Sequence, residues 1–90
     1  MSSISNLIKI MEEYIFDDTI PADAIGSKII EDVMRDDDYD LLTKQYPELN
    51  RLAERASDME YEPGQYAEQG RNEIRRQFTT LKARINERGT

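Results

Sequence analysis

Apolar residues recur along this chain at spacings of 3 and 4, the period of an α-helix with one buried face. Ile4, Leu7, Ile8, Met11 and Ile15 form the first such stripe. It predicts a helix that starts after Ser3 or Ser5, either of which can accept hydrogen bonds from the free amides of the opening turn, and that Asp17-Asp18 ends. A second stripe, Ala22, Ile25, Ile29 and Val33, is widened by Ile30 and Met34. Pro21 suits the opening turn of that helix, where a missing amide donor costs nothing, and Asp18 or Thr19 is available to cap it. Gly26 lies inside the broad apolar arc and marks a close helix crossing, since a mid-helix glycine otherwise costs up to ~1 kcal/mol.

The run Asp36-Asp37-Asp38-Tyr39-Asp40 interrupts the pattern, and Leu41-Leu42 adds a helical turn inserted into the core. Pro47 biases Tyr46 away from helical geometry and opens a third helix, which ends near Tyr61. Leu49, Leu52, Ala53, Ala56 and Met59 share one arc of its wheel, while Glu54 and Asp58 stand opposite. Beyond Glu62-Pro63-Gly64 a last helix carries Ala67, Ile74, Phe78, Leu81 and Ile85 inward, with Arg71, Arg75 and Lys82 along one flank and Gly89 as a C-terminal stop. No segment alternates with period two, and no repeat is visible. The expected fold is all-α, a small antiparallel four-helix bundle forming one domain over residues 1–90.

Charge changes this picture more than composition does. The chain has 19 acidic and 12 basic residues, a net charge of −7, and no histidine or cysteine. Residues 12–68 hold 17 acidic against 5 basic side chains, whereas residues 69–90 hold 2 against 6. The basic end is short and helical in pattern, so pairing within the molecule is expected of it rather than nucleic-acid binding. An acidic body makes free nucleic acid and anionic membrane poor partners and a cationic protein surface a good one. No window approaches the roughly 18 apolar residues of a membrane span, and the N-terminus lacks the pattern of a secretory signal, so a cytoplasmic location is expected.

Several chemistries are excluded or fail on spacing. Without cysteine there are no disulfides or thiolate metal sites, and without histidine the usual triads and imidazole centres are closed. Asp36, Asp38 and Asp40 match the first three ligand positions of an EF-hand, yet Leu41 stands where its glycine belongs and Pro47 where its bidentate glutamate belongs. Paired carboxylates could perform acid and base work, but no apolar pocket is evident to separate their pKa values. No catalytic residue, metal site or cofactor is expected.

The remaining signal is an acidic face with interleaved tyrosines: Tyr39 and Tyr61 each sit between acids, Tyr66 lies two residues before Glu68, and tyrosine buries large area with few rotors. Equally, such rings can pack under loops and expose only the hydroxyl. Arg51 and Arg55 share the exposed side of the third helix and are placed to pair with Glu54 and Asp58. The chain also resembles a known family. Thr19-Ile20-Pro21-Ala22 entering a helix that runs through Ile25 and Ile29, Ala53-Glu54-Arg55, Tyr61-Glu62-Pro63 and Glu73-Ile74-Arg75 are similar, over residues 6–86, to the colicin D-type immunity proteins. The resemblance implies an inhibitor whose acidic surface imitates the tRNA backbone and plugs the active site of a tRNA-cleaving bacteriocin or a contact-dependent growth inhibition toxin.

The expected function is therefore binding and neutralisation of a cognate basic toxin nuclease by an otherwise monomeric, non-catalytic protein. Glu54, Asp58, Glu60 and Glu62 with Tyr61 as anchor form the expected toxin-binding face, and Asp36, Asp37 and Asp38 a second patch. Two other readings use the same charge pattern: a phage-type nucleic-acid mimic aimed at another nuclease or DNA-binding protein, and a helical adaptor charged for solubility.

Overall fold

The structure is a computed structural model that describes residues 4–88, apart from the side chain of residue 88. Ser3 and Gly89, the expected start and stop signals, lie outside the described residues. The described chain is all-α: α1 (Ile4–Ile15), α2 (Ala22–Ile29), α3 (Tyr39–Gln45), α4 (Pro47–Asp58) and α5 (Gly64–Arg88). A π turn over Ile30–Met34 extends α2, and a 3₁₀ turn over Met59–Tyr61 extends α4. No helix among the described residues is long and apolar enough to cross a membrane.

The apolar stripes read from the sequence face one core. Leu7, Met11, Ile15, Ile25, Ile29, Val33, Leu49, Leu52, Ala53, Ala56, Met59, Ile74 and Leu81 are fully shielded from solvent. Phe78 is the largest of the fully buried side chains and meets the half-exposed Phe16 ring edge-to-face at a centroid distance of 5.5 Å. Helix α2 packs on α4 and its 3₁₀ turn, α4 on α5, and α1 on both α2 and α5. The whole measures 38 × 23 × 20 Å.

Several local expectations are corrected. Ser5 lies inside the first turn of α1 rather than ahead of it. Helix α2 has no side-chain cap: Pro21 occupies its N-cap position in extended geometry, and Asp17 instead folds the loop by accepting the Thr19 N–H and hydroxyl at 2.9 and 2.5 Å. Of the Leu41-Leu42 pair only Leu42 enters the core, while Leu41 is 60 % exposed. Tyr39 takes the other inward position of α3, three residues before Leu42 on the same helical face.

Helix α5 carries the basic end of the chain, and four of its cations, Arg71, Arg75, Lys82 and Arg84, bond within the molecule. Arg71, 5 % exposed, donates from Nη1 to the Asp17 carbonyl at 3.2 Å and from Nη2 to the Ile20 carbonyl at 2.6 Å. Its Nε lies 3.2 Å from Glu68 Oε2, near enough for attraction but off the N–H axis, so that N–H has no hydrogen bond. Arg75 donates to the Ile15 carbonyl and to Asp18, Lys82 to Glu12, and Arg84 pairs with Glu48 at 2.8 Å. These contacts cross-link α5 to α1, to the α1–α2 loop and to the start of α4.

Candidate functional site

The candidate face begins where α2 crosses the end of α4. A Cβ built on Gly26 would stand 2.5 Å from the Ala56 carbonyl oxygen and 3.2 Å from Glu60 Cβ, so only glycine allows this approach. The crossing brings Ser27 alongside the 3₁₀ turn, where its hydroxyl donates to Glu60 Oε1 at 2.9 Å. Glu60 is thus half-buried and held, while the next residue, Tyr61, is 83 % exposed, more than any other large apolar side chain described. Between these elements lies a trough of about 230 Å³ lined by Ser27, Ile30, Glu31, Arg35, Glu60 and Tyr61.

A second glycine fixes the exit from α4. Gly70 of α5 leaves room for the Arg55 guanidinium, whose Nη2 would be 2.9 Å from any Cβ there. Arg55 donates to Glu62 at 2.8 Å and to Glu73 at 2.9 Å, tying the 3₁₀ exit to α5. The Glu62 bond, followed by that to Glu73, holds the Arg55 pKa above its already high ordinary value. Arg55 therefore does not pair with Glu54 or Asp58, because its guanidinium is taken by two other carboxylates, Glu62 just beyond the 3₁₀ turn and Glu73 on α5. Glu62 is an internal strut before it is anything else.

Glu54 and Asp58 stay exposed on α4, as their wheel positions require. Glu54 accepts only a long bond, 3.3 Å, from the Asn50 amide one turn earlier. The Asp36–Asp38 turn follows the π turn. Asp36 accepts the Asp38 N–H at 2.9 Å, Asp37 is exposed, and Asp36 and Asp38 are half-buried. Tyr39, by contrast, is only 6 % exposed and donates to Asn50 at 3.2 Å. Burial, reinforced by the charges of Glu54 and Asp40, pushes its phenol up to about 12. It is a core residue, whereas Tyr61 and Tyr66 present their rings to solvent.

The structure thus joins Glu60 and Tyr61 to residues that sequence reasoning did not single out. Ser27, Glu31 and Arg35 repeat at intervals of four along α2 and its π turn, and that spacing was a readable sign of one shared face. Among the described residues no group of three or more carboxylates could hold a metal ion. Chemically the face offers fixed carboxylates, one exposed aromatic ring and a shallow concavity. Comparison with known proteins adds no relative: no protein-family model, no curated protein and no solved structure matches this chain.

Proposed function

We propose that this chain is an immunity protein that binds a basic toxin nuclease, a tRNA-cleaving one by its family resemblance, and occludes the cleft where phosphates would lie. The observation that carries the reading is the segregation of charge. The cations of α5 that flank its apolar stripe are turned onto α1 and the α1–α2 loop, while Glu54, Asp58 and the rim of Tyr61 are left facing outward. Carboxylates held on a helix and its exit can satisfy lysine and arginine side chains with charge-assisted hydrogen bonds, and long-range attraction speeds encounter.

On this reading the protein acts by binding alone, in the cytoplasm, as a monomer outside its complex, and without contacting nucleic acid. Helices α1, α2, α4 and α5 form the antiparallel four-helix bundle of the proposal, with α3 a short insertion between α2 and α4. Glu54, Asp58, Glu60, Tyr61 and Glu62 contribute the main face and Asp36, Asp37 and Asp38 the second patch. The reading requires a basic nuclease domain to be encoded beside this chain, and the test is co-expression with it. Restored growth together with a co-purifying complex is expected; unrelieved toxicity with both proteins folded refutes the reading.

A further inference from the structure

The trough beside Tyr61 combines three kinds of surface within about 230 Å³. Ile30 at the start of the π turn supplies an apolar wall, Glu31 and Glu60 supply carboxylates, and the Tyr61 ring stands on the rim, 83 % exposed. The volume falls below the roughly 300–1,000 Å³ of a small-molecule pocket, so the trough suits one long side chain better than a metabolite.

The groups that would meet such a side chain are accessible. Glu60 Oε1 takes the Ser27 hydroxyl at 2.9 Å, whereas Oε2 takes no hydrogen bond and is not shielded from solvent. The Ser27 bond fixes the carboxylate before anything arrives, which lowers the cost of ordering it at an interface. The Tyr61 ring is open as well. Tyr14 has the Lys28 ammonium 5.2 Å from its ring centre and Phe16 has the Arg75 guanidinium at 5.5 Å, but no cation among the described residues lies over Tyr61.

Charge decides the sign of the occupant. Two carboxylates and the guanidinium of Arg35 line the trough, which leaves one negative charge in excess. A single added cation neutralises it, and a second would be repelled. Arginine meets all three surfaces at once: its methylene stem covers Ile30, its planar head stacks on an aromatic ring, and the edge of that head donates in pairs to carboxylate oxygens. Lysine has the stem and the charge but neither the plane nor the fork. We propose that the trough receives one arginine side chain of a basic protein partner, stacked on Tyr61 and donating to Glu60 Oε2 and Glu31. The proposal rests on the acidic-face reading only for the source of that arginine.

The probes are two capped tripeptides, acetyl-Gly-Arg-Gly-amide and acetyl-Gly-Lys-Gly-amide, titrated at low salt into the whole protein while amide and tyrosine ring resonances are followed. The arginine peptide is expected to shift Ser27, Glu31, Glu60 and Tyr61 saturably and to bind about two- to fivefold more tightly than the lysine peptide, the range of an exposed cation–π contact. Tyr61→Ala, with circular dichroism unchanged, should remove that preference. Tyr66→Ala, which alters the other exposed tyrosine of this corner but no wall of the trough, should preserve it. Arg35→Gln should tighten binding of both peptides about twofold by removing a like charge at the surface. Absence of saturable binding, equal affinity for the two peptides, shifts as large at Glu54 and Asp58 as in the trough, a preference that survives Tyr61→Ala, or weaker binding in Arg35→Gln overturns the proposal. Binding of the arginine peptide with no protection against a nuclease would leave the trough standing and refute the immunity reading, and protection without peptide binding would do the reverse.

Discussion

Gly26 of α2 and Ala56 of α4 meet so closely that a Cβ on the glycine would come within 2.5 Å of the alanine's carbonyl oxygen. The obstacle is backbone, which cannot swing aside as a side chain could. Gly26→Ala should therefore lower stability by up to about 2 kcal/mol, the overpacking cost of about 1–3 kcal/mol reduced by the ~1 kcal/mol that alanine gains in helix propensity. Gly64→Ala is the control, since no atom lies within 4 Å of a Cβ there, and should leave stability unchanged or slightly raised. Chemical denaturation of the two variants checks this, and equal midpoints would show that the crossing is loose.

That glycine was legible in the sequence because an apolar arc surrounded it, and the stripes of α1, α2, α4 and α5 were legible for the same reason. Residues whose fate depends on the other side of the interface were not. Leu41 and Leu42 are alike in sequence, yet only one can point inward from a helix that also buries Tyr39. Arg55 has Glu54 beside it and Asp58 three residues on, but Gly70 opens a path to Glu62 and Glu73 that no wheel of α4 reveals. The exposed members of the face, Glu54, Asp58 and Tyr61, were visible because exposure follows from helix phase alone. The internal bonds of Glu60 and Glu62 were not, since they are made to α2 and to the end of α4.

Arg71 should behave as part of the core. Its guanidinium bridges the carbonyls of Asp17 and Ile20, and removing it leaves the Ile20 carbonyl without that donor and the Asp17 carbonyl with only the Ile20 N–H at 3.2 Å. Arg71→Ala is expected to cost about 2–3 kcal/mol, as for hydrogen bonds to a charged group. Arg71→Lys should recover only part of that loss, because one ammonium cannot span both carbonyls in the plane of a fork. Urea unfolding of both variants is the measurement; a loss within ~0.5 kcal/mol for Arg71→Ala would place the loop's stability elsewhere.

Stability should fall at both ends of the pH scale for identifiable reasons. The Asp17 carboxyl is held below its ordinary 3.8 by the bonds from Thr19, and Asp18 below 3.8 by the bond and charge of Arg75. Folded values below unfolded ones contribute stability that is present above about 3.8 and lost as pH falls through the depressed values. Tyr39 works in the opposite sense. Its folded value, about 12, exceeds the unfolded 10, so its contribution is complete below pH 10 and is lost as pH rises toward 12. The denaturation midpoint of Asp18→Asn should therefore drop less steeply in acid than that of the parent. Tyr39→Phe should flatten the alkaline loss and remove a late step from the tyrosinate absorbance titration. Parallel curves for parent and variant at either end would assign that loss to other groups.

The last prediction separates a specific face from mere negative charge. Glu54 and Asp58 are the acids on the proposed face whose substitution least disturbs the fold: Glu54 accepts one long bond from Asn50, and Asp58, at the end of α4, stands against the negative pole of the helix. Lysine at Asp58 is even favoured there by about 0.3–1 kcal/mol, which offsets the new repulsion near Arg51 and Arg55. Glu62 is unsuitable for this purpose, because its loss would also release Arg55 and so confound folding with binding. Glu54→Lys with Asp58→Lys should keep the helical circular dichroism yet abolish protection against the cognate nuclease, since losing one partner of a desolvated interfacial charge pair costs about 2–5 kcal/mol. Glu13→Lys with Asp23→Lys makes the same change in net charge at exposed positions of α1 and α2 and should leave protection intact. Equal loss in the two double variants would mean that total charge and not the α4 face neutralises the toxin, and protection retained in both would move the inhibitory surface to the Asp36–Asp38 turn, where the same pair of substitutions can be repeated at Asp37 and Asp38.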